Sequence, residues 1–136
     1  MTIGRGPTLA IAQEAALKLK EMCYLHAEAF SSAEFQHGPL SLVSPQYPIV
    51  MFMPSDGAAP GMRKFATELR AKGAMVFCTE NSGAGFGRLP ALAADHPDTD
   101  AVCLIQTFYA LAVQLAVLRG TDVDRPRHLQ KVTRTR

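Results

Sequence analysis

Between Glu14 and His37 the chain reads EAALKLKEMCYLHAEAFSSAEFQH, a run holding four glutamates, two histidines and two lysines. Acids and bases at this density beside an apolar helical stripe are the groups needed to lift a proton from one atom and return it to another. Glu14, Lys18 and Glu21 fall at i, i+4 and i+7, so a helix would line them on one face. Such a stripe is commonly a solvated ion-pair ladder, worth roughly 0.2–0.5 kcal/mol per pair. The alternative is a carboxylate near a site's mouth, with its charge tuned by the lysine beside it. Farther along, His26, Glu28, Glu34 and His37 could ligate a metal, and Glu34 and His37 have the Glu-x-x-His spacing of di-metal helix bundles. That architecture needs long helices throughout, so no metal is expected in a chain that alternates strands with helices. His37 stands before Gly38-Pro39, at a sharp turn from which it can reach away from its own domain.

The remaining candidates are weaker. Gly4-Arg5-Gly6 precedes a helix start, where free amides favour anions. Two glycines do not make a dinucleotide fingerprint, and no cofactor is expected. Lys131 lies in a basic tail, where a frayed terminus is the ordinary outcome unless Leu129 and Val132 pin it.

The positioning elements follow from periodicity. Met1-Thr2-Ile3 reads as the stub of a strand, then Pro7 opens a helix from Thr8 to about Tyr24, with Leu9, Ala12, Ala16, Leu19 and Cys23 on one face. A shorter helical piece ends at His37. PIVMFMP, residues 48–54, is a buried strand, and AMVFCT, residues 74–79, is another. Between them an amphipathic helix runs from Gly61 to Lys72, with Met62, Phe65, Ala66 and Leu69 inward. Leu89 to Ala93 is a short third strand candidate, and Asp100 to Arg119 an apolar helix closed by Gly120. This alternation predicts a parallel sheet with helices on both faces and sites beyond the strands' carboxyl ends, at Gly4-Arg5-Gly6, Ser55-Asp56-Gly57 and Glu80-Asn81-Ser82.

Composition narrows the function classes. With 136 residues, 48% hydrophobic and 19% charged, the chain is sized for one domain with a real core. A net charge of +2, spread along the chain, is no nucleic-acid footprint. No run is expected to span a membrane, and no signal peptide is visible. Three scattered cysteines fit free thiols in a reducing cytoplasm.

Four runs, IGRG, AQEAALKLKE, LHAEAFSSAEFQHGPL and RGTDVDRPRHLQKVTRT, occur in an order that resembles the second sugar-isomerase (SIS) domain of the glucosamine-6-phosphate synthase superfamily. The resemblance covers nearly the whole chain. It implies an α/β, three-layer, flavodoxin-like fold over residues 1–120 and a tail, 121–136, carrying an active-site lysine. It further implies that Glu21 moves the proton between C1 and C2 of an open-chain sugar. His37 would assist ring opening in the neighbouring subunit of a homodimer, and Lys131 would contact the ketose carbonyl. Glu14 and Lys18 match supporting positions. In the family, a serine- and threonine-rich loop of a first SIS domain grips the substrate phosphate. The corresponding loop here, residues 54–60, has one serine and Asp56, so phosphate binding is expected from a missing N-terminal SIS domain. This chain is then expected to be a truncated C-terminal half, inactive by itself, of an amino-sugar phosphate deaminase or isomerase. The alternatives are the isomerase lobe of a glutamine–fructose-6-phosphate aminotransferase and a non-catalytic sensing or dimerisation domain.

Overall fold

The computed structural model describes residues 1–80, 87–92 and 95–129. The first strand, β1 (Thr2–Gly4), is buried along its whole length. Helix α1 (Pro7–Cys23) follows at once, with Pro7 in its first turn, where no backbone donor is missed. Thr8 locks the turn: its Oγ1 accepts from Arg5 N at 2.9 Å and donates to Arg5 O at 3.0 Å. Gly4 is required here, because a Cβ would stand 2.2 Å from the Thr8 carbonyl oxygen.

Next come β2 (Ala29–Ser31) and a single turn of helix, α2 (Ser32–Phe35). The sequence reading took this stretch as one helical piece, and the strand corrects it. The reason is local: Ser31 Oγ accepts from Glu34 N at 3.2 Å while the Glu34 carboxylate accepts from Ser31 N, also at 3.2 Å. This capping box starts the helix only after three residues have paired with β1. It also occupies Glu34, one of the residues weighed as a metal ligand.

Strands β3 (Pro48–Met51) and β4 (Met75–Thr79) flank helix α3 (Ala59–Ala71), which buries the expected Met62, Phe65, Ala66 and Leu69. A 3₁₀ turn (Pro39–Leu42) precedes β3, and a two-residue strand, β5 (Arg88–Leu89), and a long helix, α4 (Pro97–Leu118), complete the elements among the described residues. All pairings are parallel, in the order β2-β1-β3-β4-β5. This is the flavodoxin-like order, with its switch point between β1 and β3.

Side chains of β3 alternate between two cores. Ile49, Met51 and Met53 join Phe35 and the inward face of α3, together with Leu40 and Val43 of the crossover. Val50 and Phe52 join Ala12 and Ala15 of α1 and Leu104, Phe108 and Ala112 of α4. One face of the sheet therefore carries α1 and α4, and the other carries α2 and α3. The alanines of α1 let α4 come close enough for the Cys23 thiol to reach the Ala112 carbonyl at 3.4 Å.

Helix α4 also corrects the membrane reading. At 22 residues, with a window of mean hydropathy 2.0, it is long and apolar enough to cross a bilayer by length and composition. The helix expected from Asp100 to Arg119 starts three residues after the observed one, and its length of about 20 residues already meets the same test. Ala101, Leu104, Ile105, Phe108, Ala112 and Ala116 are buried against the domain, while Val102, Val113, Val117 and Leu118 are exposed.

Candidate functional site

The charged stripe forms on α1 as its spacing predicts. Lys18 Nζ donates to Glu21 Oε2 at 2.7 Å and pairs with Glu14 Oε1 at 3.6 Å. Tyr109, from α4, donates its hydroxyl to the other side of Glu14 Oε1 at 2.9 Å. The hydrogen bond to Glu21, followed by the charges of both glutamates, raises the Lys18 pKa against the pull of burial. Lys18 thus stays cationic. Side-chain exposures of 27% for Lys18 and 30% for Glu21 leave the pair accessible but not loose. Partial burial and the Glu14 carboxylate keep the Tyr109 phenol protonated.

The stripe does not lie where the sequence reading put the mouth of the site. Helix α1 leaves the carboxyl end of β1 and runs back, so Glu21 is roughly 21 Å along the axis from Pro7. It stands at the amino end of the sheet.

What comes to the last turn of α1 instead is the segment just after α4, residues 119–127. Arg119 Nε donates to Cys23 O at 2.8 Å, and Thr121 Oγ1 donates to Met22 O at 2.7 Å. Arg127 N donates to the Tyr24 hydroxyl at 2.9 Å, and the Arg127 guanidinium lies 4.7 Å from the Tyr24 ring centroid. The segment after α4 is thereby tied to the last turn of α1, which carries Glu21. Lys131 lies outside the described residues.

His37 is exposed, beyond α2, with its N–H donating to Glu34 O at 3.0 Å. Because α2 and α1 are on opposite faces, the sheet itself separates His37 from Glu21 within one chain.

A second place with chemical potential is a cleft of about 420 Å³ beyond β3 and β4. Ser55, Asp56, Arg63, Glu80, Asp100 and Cys103 are among its lining residues. Its polar groups are committed to one another. Ser55 donates to Asp100, Arg63 pairs with Glu80, and Asp56 Oδ1 accepts from Ala58 N at 2.8 Å. The Ser55 hydroxyl, first among several hydrogen bonds, lowers the Asp100 pKa and keeps it ionised. Asp56 thus uses an amide that an incoming anion would need, and adds a like charge beside it. The third strand end expected to bear on a site, Asn81-Ser82, lies outside the described residues.

Sequence reasoning missed Tyr24, Arg127 and Tyr109. Tyr24 carried one signal: an aromatic residue at a helix end where glycine would be usual.

Comparison with known proteins bears on the family and the fold. The family model described as SIS domain matches residues 1–119. The glutamine–fructose-6-phosphate aminotransferase (isomerizing) of Treponema pallidum is 39% identical over 149 residues, covering 95% of this chain and 23% of that protein. The chain thus spans about a quarter of the curated relatives it matches. Among solved structures, a candidate phosphosugar isomerase of Silicibacter pomeroyi is 42% identical with a TM-score of 0.81, over 90% of this chain and 38% of that one. The glucosamine-6-phosphate deaminase of Thermotoga maritima is 27% identical with a TM-score of 0.76, over 96% of this chain and 38% of that one.

Proposed function

This chain belongs to the SIS domain family, and we propose that it is the catalytic C-terminal SIS half of an amino-sugar phosphate deaminase or isomerase. The observation that carries this reading is the docking of the segment just after α4, residues 119–127, on the last turn of α1, which bears Glu21. Glu21 and the segment from which the tail continues lie at one end of one helix, which supports a shared role for the carboxylate and a tail amine.

In this reading Glu21, hydrogen-bonded by Lys18, takes the proton from C2 of the open-chain sugar and returns it to C1. With glucosamine-6-phosphate the product is a C2 imine, and addition of water to it yields fructose-6-phosphate and ammonia. Lys131 meets the ketose carbonyl, and Glu14 and Lys18 support the acting carboxylate from the same helix face. His37 opens the ring in a partner subunit, an assignment supported by the sheet that stands between it and its own Glu21. Phosphate is held by a preceding SIS domain, since Asp56 and Ser55 are already engaged in this one. A reducing cytoplasm suits the thiols of Cys23 and Cys78, which burial pushes up and keeps protonated.

A second reading, the isomerase lobe of a glutamine–fructose-6-phosphate aminotransferase, is favoured by the names of the curated relatives. Ammonia balance in the full-length gene product separates the two. A deaminase releases ammonia from glucosamine-6-phosphate without glutamine. An aminotransferase makes glucosamine-6-phosphate only while consuming glutamine, and that result would replace the first reading.

A further inference from the structure

Glu14, Lys18 and Glu21 share one face of α1, and a group from another helix joins them: Tyr109 of α4, 95 positions from Glu14. Phe108 and Ala112 beside it are fully buried in the core that α4 shares with α1. They fix the register in which α4 brings the phenol to the stripe. Tyr109 itself is 38% exposed, so apolar burial is a small part of what its side chain contributes.

Its hydroxyl donates to Glu14 Oε1 at 2.9 Å, and that same oxygen faces Lys18 Nζ at 3.6 Å. Lys18 is therefore shared unequally, because it stands only 2.7 Å from Glu21 Oε2. An ammonium between two carboxylates moves toward the one whose charge is less satisfied, and partial burial strengthens that pull over its value in water. A hydroxyl on Glu14 Oε1 takes up a lone pair that Lys18 would otherwise use. The short bond is left to Glu21. On α4 no titratable side chain lies within one turn of Tyr109. The charged groups that bear on its phenol are Glu14 and Lys18 of α1.

We infer that Tyr109 is a positioning residue: by holding Glu14 it releases Lys18 to Glu21 and so fixes the carboxylate that handles the sugar's proton. The inference rests on the role proposed above for Glu21.

Two measurements on the full-length gene product test it. The first needs no turnover. The ultraviolet tyrosinate titration of the parent, less that of Tyr109→Phe, isolates the Tyr109 phenol. Burial, then the hydrogen bond and charge of Glu14, push its pKa up. In a Glu14→Gln background the phenol should therefore ionise at lower pH. Ionisation at the same pH in both backgrounds overturns the contact. The second measurement is solvent-deuterium exchange into fructose-6-phosphate over a range of sugar concentration. Tyr109→Phe, which keeps the ring and removes only the donor, should lower kcat about fivefold, the scale of one hydrogen bond, with KM unchanged. In the Glu14→Gln background the same substitution should change kcat by less than about 1.5-fold, because the charge that competes for Lys18 is already gone. A fivefold loss in both backgrounds, or a loss in neither, overturns the positioning role, as does a rise in KM with kcat unchanged. Retained exchange in Glu21→Gln overturns the reading of Glu21 and the positioning role with it, and the phenol titration still decides whether Tyr109 holds Glu14.

Discussion

Gly4→Ala is the most direct probe of how the fold places the charged stripe. Gly4 has an ordinary backbone conformation, so flexibility is not the issue; space is. The added Cβ would meet Thr8 O at 2.2 Å, Thr8 C at 2.4 Å and Leu9 N at 2.6 Å, all backbone atoms of the first turn of α1. Ordinary contact begins at 3.4 Å, so the helix must retreat by about an ångström. That retreat stretches the buried bond from Thr2 Oγ1 to Ala12 O, now 2.8 Å, beyond hydrogen-bonding distance. Overpacking costs about 1–3 kcal/mol, and the lost bond about 0.5–1.5 kcal/mol, because Thr2 keeps Glu28 O as an acceptor. Together these predict a loss of about 3 kcal/mol in urea unfolding. Gly57→Ala is the control, since its Cβ meets nothing within 4 Å, and it should stay within about 0.5 kcal/mol of the parent. Turnover should fall in the first variant and not in the second, as an ångström of helix displacement carries Glu21 with it. If the two variants unfold alike, the close seating of α1 on β1 is not what fixes the stripe.

Other substitutions test separate links. Lys18→Met should leave stability within about 1 kcal/mol, the scale of two helical ion pairs, yet lower turnover about tenfold or more, because Glu14 and Glu21 then face each other without a cation; parallel unfolding and rate measurements check both. The raised Lys18 pKa sets an alkaline limit: its stabilisation is complete below the ordinary lysine value of 10.5 and is lost as pH rises through the folded-state value, so the alkaline fall of the thermal midpoint should be shallower in Lys18→Met. The capping box acts at the acid end, where Ser31 lowers the Glu34 pKa. Its contribution is present above the ordinary value of 4.5 and lost as pH falls, so Glu34→Gln should flatten the acid limb of a stability–pH profile; Ser31→Ala should cost about 1 kcal/mol at neutral pH. Phe108→Ala removes a fully buried ring set edge-to-face on Phe52 at 5.6 Å, and a loss of about 3–5 kcal/mol in chemical denaturation is expected.

Local signals were legible where they were long. The alanine-rich α1, the buried strand at residues 48–51 and the inward stripe of α3 all follow from periodicity, and so does the Glu14–Lys18–Glu21 ladder. The strand at Ala29–Ser31 was not legible by that route, because three paired residues set among helix formers leave no alternation to count. Its start signal was present in the Ser31-x-x-Glu34 spacing, which fixes where α2 begins. Pro97 likewise marked the true start of α4. The position of the stripe at the amino end of the sheet depends on the direction of α1, which a general rule about strand ends does not capture. Tyr24 and Arg127 meet only in three dimensions, and no window along the chain holds both.

In the proposed function Glu21 carries the proton between neighbouring carbons of a sugar phosphate. Incorporation of deuterium from solvent at C1 of fructose-6-phosphate, followed by NMR in the full-length gene product and its Glu21→Gln variant, measures that step without reference to flux or to ammonia. The expected result is a loss of roughly 10²–10⁴-fold in exchange, with sugar binding and thermal midpoint unchanged. Exchange in Glu21→Gln within about threefold of the parent would contradict the assignment.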